Sequence, residues 1–201
     1  AIFNENHDKT TWHDQTFWSL RMKHDAAAHQ LPEWEDLRQH ASDIKRHTLS
    51  HLVDYLEKFT SQLESRGVIV HWASDAAEFN AIVYDILKSH GVKKMVKSKS
   101  MLTEECEMNP YLIERGIDVV ESDLGERILQ LLGQRPSHIV MPAIHLTRQE
   151  VGKMFEEKGI SHEIGNYDPT YLTQCARYSL RNEFIAVSYT HLRAHETDSY
   201  L

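Results

Sequence analysis

The chain has 201 residues, of which 41% are hydrophobic and 26% charged, values typical of a protein that folds around an apolar core. Its formal net charge of −8 argues against general nucleic-acid binding, which needs a basic surface, but does not exclude a small anion in a local basic pocket. No apolar run reaches the roughly 18–20 residues of a membrane span.

The two cysteines, Cys106 and Cys175, lack a CxxC spacing, so the sequence predicts neither a disulfide framework nor a zinc site. Two isolated cysteines also do not supply the four thiolates of a conventional iron–sulfur cluster. The N-terminus has no secretory signal pattern, and we expect a cytoplasmic protein. Since the first residue is not Met, we expect the chain to be a fragment at this end.

The N-terminal segment, residues 1–66, is predicted to be helical from residue 8 onwards. Apolar residues at spacings of three and four lie on one helix face: Leu49, Leu52, Leu56, Phe59 and Leu63. His40, His47 and His51 share a helical spacing without a neighbouring acidic or sulfur ligand, which favours a solvated or packed face over a metal site. Pro32 is predicted to open a helix, and Gly67 to end one.

After Gly67, short β-branched runs alternate with helical segments. Strands are predicted at 68–73, 93–98, 117–122 and 137–143. Helices are predicted at 74–91, 103–115, 124–132, 148–158 and 169–184. Capping-box spacings support three of the helix starts: Asp75–Glu78, Asp123–Glu126 and Thr147–Glu150. This alternation predicts an α/β domain over residues 67–186, in which a mostly parallel sheet carries helices on both faces.

The last fifteen residues, VSYTHLRAHETDSYL (187–201), have no apolar periodicity and no clear strand. They resemble the peptide obtained when sequencing-adapter DNA is translated, and we expect them to be non-native. Their segment HLRAHE does not match the HExxH pattern of metalloproteases.

The segment KSKSMLTEE (97–105) is the first candidate site, because ligands of an open parallel sheet bind outside the carboxyl ends of its strands. Lys97 and Lys99 are predicted to neutralise a phosphate or carboxylate, to which Ser100, Thr103 and helix N–H groups donate hydrogen bonds. A carboxylate of this segment, Glu104 or Glu105, would act as a general base or orient a lysine.

Each candidate also has a structural interpretation. Loop lysines are usually solvated, and Thr103 could be a helix N-cap. Asp123 and Glu126 are more economically a capping box than catalytic groups. His145, just past a predicted strand, is positioned for acid–base work or anion contact, whereas His138 should lie at the opposite edge of the sheet. Neither GxGxxG nor GxxxxGK[ST], the common nucleotide fingerprints, is present.

Four segments together resemble the iron–sulfur subunit of the lactate-utilisation (LUD-domain) family: VHWASDAAEF (70–79), KSKSMLTEE (97–105), VVESDLGERILQLLGQRPSHIVMPAIH (119–145) and ARYSLRNEF (176–184). The likeness spans about residues 12–186 without large gaps and ends at Val187. It implies a fold like that of ribose-5-phosphate isomerases and CoA transferases. It also implies membership of a cytoplasmic complex of iron–sulfur proteins that oxidises L-lactate to pyruvate. The two ferredoxin-like [4Fe–4S] motifs of the family lie downstream, so no cluster is expected in this chain.

The resemblance implies importance for the residues in the matching motifs: Lys97, Ser98, Lys99, Ser100, Thr103, Glu104, Asp123, Glu126 and His145. We expect Glu104, Glu126 and His145 to be proton-transfer candidates, and the other residues to hold an anionic substrate, without a metal. The expected partners are other subunits of the complex. Two alternatives remain: a non-enzymatic scaffold or electron-transfer partner, and a small-anion-binding enzyme of the isomerase or CoA-transferase type.

Overall fold

The computed structural model describes residues 7–187 and 189–192, and the chain divides into two compact units, Ala1–Trp72 and Ala73–Leu201. The first unit is helical, as predicted, and contains α1 (His7–His29), α2 (Trp34–Ser50) and α3 (Leu52–Glu64). Helices α2 and α3 are interrupted at His51, whose backbone N–H still bonds to carbonyls of the last turn of α2. None of the helices in the described part of the chain is long and apolar enough to cross a membrane.

The second unit is an α/β domain. In chain order it contains α4 (Ala76–Ser89), β1 (Lys94–Lys97), α5 (Met101–Glu105), α6 (Met108–Ile113), β2 (Asp118–Glu121), α7 (Leu124–Leu132), α8 (Arg148–Glu157), α9 (Pro169–Ala186) and β3 (Tyr189–Leu192). The sheet has the order β2-β1-β3, and β1 pairs in parallel with both neighbours. The predicted α/β class with a parallel sheet is therefore confirmed.

Two apolar clusters hold the second unit together. The first joins α4 and α6 to one face of the sheet through residues such as Leu87, Leu112, Met95 and Val119. Met95 and Val119 are opposite each other in the parallel register, so they project from the same face of the sheet. The second cluster joins α7, α8 and α9 through five buried residues: Ile128, Met154, Phe155, Leu172 and Ala176.

The strand predicted at 68–73 is wrong. These residues form no strand, and the side chains of Val68, Ile69 and Trp72 are exposed. A strand is stabilised by a backbone ladder and by packing of its side chains on neighbours. This apolar run has no ladder and exposes most of its large side chains, so its β-branched composition alone does not produce a strand.

The strand predicted at 137–143 is also wrong, because local hydrogen bonds replace a sheet ladder there. The Nδ1 atom of His138 accepts from the backbone N–H groups of Val140 and Met141, both at 3.0 Å. The N–H and hydroxyl of Ser137 both donate to the carbonyl of Pro142, at 3.1 and 3.0 Å. Pro142 itself has no N–H to donate. The segment is consequently an irregular loop between α7 and α8.

The helix predicted at 103–115 is divided into α5 and α6. Glu107 between them has a φ of 50°, in the left-handed region. Pro110 explains the break, because in a continuous helix its ring would clash with the carbonyl of Cys106, four residues earlier. That carbonyl accepts instead from the side-chain amide of Asn80, at 2.7 Å. Cys106 thus lies at the C-terminal end of α5.

One strand was missed. Tyr189–Leu192 pairs with β1, so the expectation that residues 187–201 contain no strand is wrong for these four residues. A backbone ladder at the side of a sheet does not require apolar periodicity. Residue 188 and residues 193–201 lie outside the described part of the chain.

Candidate functional site

The junctions that follow β1 and β2 are tied together at the carboxyl ends of the strands. The N–H of Ser122 donates to the carbonyl of Lys97 at 2.9 Å, which extends the ladder beyond the last strand pair. The carboxylate of Asp123 accepts from the backbone N–H of Lys99 at 2.5 Å. These bonds bring the predicted site segment 97–105 and residues 122–126, which follow β2, side by side.

Lys97 is buried at the centre of this junction. Its side chain is 1% exposed, and Nζ lies 2.7 Å from the carboxylate of Glu121. Nζ also donates to the hydroxyl of Thr103 at 3.1 Å and lies 3.6 Å from the carboxylate of Glu104. Glu121 stands opposite Lys97 in the parallel register, so both side chains project from the same face of the sheet. The structure therefore gives Lys97 an internal partner, and Lys97 lines neither of the two cavities described below.

Burial raises the pKa of Glu121 above its ordinary value, and the Lys97 ammonium opposes this shift. One carboxylate oxygen, Oε1, accepts from the amide of Asn109 at 2.6 Å and from Lys97. The other, Oε2, is buried without a hydrogen-bond partner among the described residues, as is Oδ1 of Asn109. Such unsatisfied buried acceptors are costly, and they disfavour the charged form of the carboxyl group.

Lys99 forms the second ion pair of the site. Its Nζ lies 2.7 Å from the carboxylate of Glu126 and donates to the carbonyl of Ile139 in the α7–α8 loop. Lys99 is a quarter exposed, whereas Glu126 is 7% exposed. Lys99 is therefore the more accessible member of the pair. An incoming anion would share or displace the contacts that Lys99 makes here.

Two cavities share the Lys99–Glu126 pair. The first, of about 480 Å³, is also lined by Thr103, Glu104 and His138. The second, of about 380 Å³, is lined by Asp123 and by the later part of the α7–α8 loop. The larger volume falls within the ~300–1,000 Å³ that is typical of small-molecule sites. A cation and carboxylates thus converge on one concave surface, as a site for a small polar ligand requires.

The α7–α8 loop holds two histidines in different roles. His145 Nδ1 and the hydroxyl of Ser137 are 2.7 Å apart, and its Nε2 lies 3.0 Å from the side-chain oxygen of Gln134. His145 therefore fastens the two ends of the loop together and does not line either cavity. His138, which was expected at the opposite edge of the sheet, lines the larger cavity. Both histidines lie elsewhere than expected because residues 137–143, which were predicted to be a strand, form a loop.

Several predicted anion-binding groups are used within the protein. Ser100 is the N-cap of α5 and accepts from the N–H of Thr103 at 3.3 Å, while the Thr103 hydroxyl donates to the Ser100 carbonyl. Both residues are buried. Ser98 is half-buried at the end of β1, and Glu104 is half-buried and lines the larger cavity. The serine and threonine hydroxyls thus shape the β1–α5 turn and support Lys97.

The capping box predicted for Asp123 and Glu126 is wrong, because Asp123 makes no side-chain cap and Glu126 pairs with Lys99. Thr147 and Glu150 do form the predicted reciprocal box. At Asp75 the side chain caps the N–H of Glu78, but the Glu78 carboxylate bonds to Ser74 instead. At the start of α7 the two acidic residues therefore contact Lys99 and do not cap the helix.

The residues present do not fit an iron–sulfur cluster. A [4Fe–4S] cluster takes four thiolates, and the chain has two cysteines. Cys106 lies at the end of α5, and Cys175 packs against the second apolar cluster from within α9. Within residues 7–187 and 189–192, no group of three or more histidine, cysteine or acidic side chains is arranged to hold a metal ion.

Sequence reasoning missed Glu121, Asn109 and His138. A signal for Glu121 was present, because a carboxylate and a lysine each end one of two adjacent parallel strands. No comparable signal existed for Asn109, which reaches the site only because the helix breaks at Glu107. His138 required knowledge that residues 137–143 form a loop.

Comparison with known proteins decides the family. The family model for the LUD domain matches residues 56–190, which is about two thirds of the chain. The chain belongs to the LUD-domain family. Curated relatives of this LUD domain are named lactate utilization protein B, and those from an Exiguobacterium species and from Oceanobacillus iheyensis are each 43% identical to it. A relative with this name from Bacillus pumilus is 42% identical over 161 residues.

These matches cover 79–80% of the chain, but only 33–34% of each relative. The chain thus spans about one third of the length of the curated relatives that it matches. No solved structure matches the chain.

Proposed function

We propose that this LUD domain serves lactate utilisation by binding a small carboxylate, L-lactate or its oxidation product pyruvate, beside the Lys99–Glu126 pair. The names of the relatives support the substrate class, and the Lys99–Glu126 pair supports the position of the binding site. It combines a cation with a nearly buried carboxylate on the wall of a cavity. An ammonium pairs well with a ligand carboxylate, and a protein carboxylate can accept the proton of a ligand hydroxyl.

In this proposal the residues divide into two groups. Lys99 holds the ligand carboxylate, and Asp123 fixes the backbone of Lys99 through its N–H. Glu126 accepts the proton of the ligand hydroxyl, and Glu104, on the wall of the larger cavity, is a second proton acceptor. The resemblance implies that the whole protein belongs to a complex that oxidises L-lactate to pyruvate. The acceptor of the electrons would lie outside this chain, in the iron–sulfur part that the resemblance implies.

The test is calorimetric titration of pyruvate and of L-lactate into the purified chain. A hydrogen bond to a charged group contributes about 1.5–3 kcal/mol, so Lys99→Ala should weaken pyruvate binding by roughly 10- to 100-fold. Glu126→Gln should bind pyruvate at least as tightly as the unaltered chain, because it removes the carboxylate that competes for Lys99. Lys153→Ala is the matched control, since Lys153 is an exposed lysine of α8. Unchanged affinity in Lys99→Ala would refute the assignment.

A non-enzymatic role as a scaffold or electron-transfer partner is the second candidate. It is supported by the pairing of both site lysines with internal carboxylates, which is also how a purely structural polar network would be arranged. If neither pyruvate nor L-lactate binds to the chain, this second role is favoured.

A further inference from the structure

His138 is held in one tautomer by the α7–α8 loop. Its Nδ1 accepts from two backbone N–H groups, those of Val140 and Met141, at 3.0 Å each. A ring nitrogen that accepts hydrogen bonds carries no proton, so the proton of the neutral imidazole is on Nε2. The loop thereby leaves Nε2–H as the donor of the neutral ring.

The position of His138 connects this donor to the proposed carboxylate site. His138 lines the larger cavity together with Lys99 and Glu126. The next residue, Ile139, accepts a hydrogen bond from Lys99 Nζ through its carbonyl. The loop that orients the imidazole is therefore attached directly to the lysine of the site. It is also closed at its ends by the contacts of His145 with Ser137 and Gln134.

We propose that His138 is a specificity-determining residue of this cavity, whose Nε2–H donates to the oxygen on carbon 2 of a carboxylate held by Lys99. This inference rests on the proposed function and adds the residue that would distinguish 2-oxo and 2-hydroxy acids from plain carboxylic acids. A keto oxygen and a hydroxyl both accept a hydrogen bond from a neutral imidazole. A plain carboxylic acid of the same length, such as propionate, has no oxygen at this position and cannot use the donor.

The expected selectivity is modest and measurable. A typical hydrogen bond contributes a net of about 0.5–1.5 kcal/mol, so pyruvate should bind roughly 2- to 10-fold more tightly than propionate. Two substitutions at His138 test the contributions of the two ring nitrogens separately. His138→Asn places an amide oxygen near the Nδ1 position, so the two backbone N–H groups keep an acceptor while the Nε2 donor is lost. His138→Gln places an amide N–H near the Nε2 position but loses the loop acceptor.

The experiment is calorimetry with pyruvate and propionate on the unaltered chain and on both variants. Preference for pyruvate that is lost in His138→Asn and at least partly kept in His138→Gln supports the proposal. His162→Asn, at an exposed histidine that lines neither cavity, should keep the preference. Equal affinities for the two acids in the unaltered chain, or a preference that survives in His138→Asn, would overturn the proposal and leave carboxylate binding intact. Binding of neither acid would instead refute the proposed function, and this inference with it.

A second measurement does not depend on how the variants fold. In ¹⁵N NMR spectra of the imidazole, the unaltered chain should show His138 with its proton on Nε2. Saturating pyruvate should shift the Nε2 resonance, whereas saturating propionate should leave it nearly unchanged. A proton on Nδ1, or identical responses to the two acids, contradicts the proposal.

Discussion

Replacing Lys97 by Met tests the buried ion pair beneath the site. The substitution keeps an unbranched apolar side chain but removes the ammonium that lies 2.7 Å from Glu121. Water cannot take over this role, because the two side chains are 1% and 3% exposed. Breaking a buried ion pair by removing one partner costs about 3–5 kcal/mol, so the free energy of unfolding should fall by about that amount at pH 8.

The loss should depend on pH. Burial raises the pKa of Glu121, whereas the Lys97 ammonium lowers it. Removing the ammonium should therefore raise the pKa of Glu121 further. The folded variant then retains a proton that the unfolded chain releases above the ordinary pKa of 4.5. Stability consequently decreases as the pH rises from 4.5 through the pKa of the folded state. We therefore expect Lys97→Met to destabilise the protein much less at pH 5 than at pH 8.

The assay is urea unfolding followed by circular dichroism at both pH values. Lys93→Met is the control, because it removes an exposed lysine just before β1 and should change stability by less than about 0.5 kcal/mol. The double variant Lys97→Met with Glu121→Leu should recover most of the loss, because it leaves no buried charge behind. A loss below about 1 kcal/mol at pH 8, or equal losses at the two pH values, would refute the reasoning.

Three further substitutions test the packing that supports the site. Gly125→Ala should destabilise the protein by about 1–3 kcal/mol, because a Cβ there would lie 2.7 Å from Cγ of Pro142. An unchanged melting temperature would contradict the close packing of the α7–α8 loop on α7. Thr147→Ala should lower the free energy of unfolding, measured by chemical denaturation, by about 1 kcal/mol, because it removes the capping box with Glu150. A loss near zero would show that the box does not stabilise the protein. Leu112→Ala should lower the free energy of unfolding by about 2–5 kcal/mol in the same assay, since Leu112 is fully buried in the first apolar cluster. A smaller loss would mean that the neighbouring side chains move in to fill the cavity.

Local sequence patterns determined most of the secondary structure. Helices α7, α8 and α9 follow the predicted ranges closely, because apolar periodicity and strong end signals such as Gly133 and Thr147 act within a few residues. The strands β1 and β2 were equally predictable, since each lies within a predicted strand range, 93–98 and 117–122. The rule that ligands bind at the carboxyl ends of parallel strands also selects the two segments that contain Lys99 and Glu126.

Tertiary structure decided how the charged residues are used. Lys97 and Lys99 are two residues apart and look equivalent in the sequence, yet one is buried against Glu121 and the other lines a cavity. Side chains alternate along a strand, but which partner each one meets depends on the register with the next strand. Likewise, apolar composition at 137–143 could not distinguish a strand from a loop, because a strand requires a partner and this loop satisfies its polar groups locally. The hydrogen bonds of His138 and its position in the larger cavity follow from the conformation of this loop.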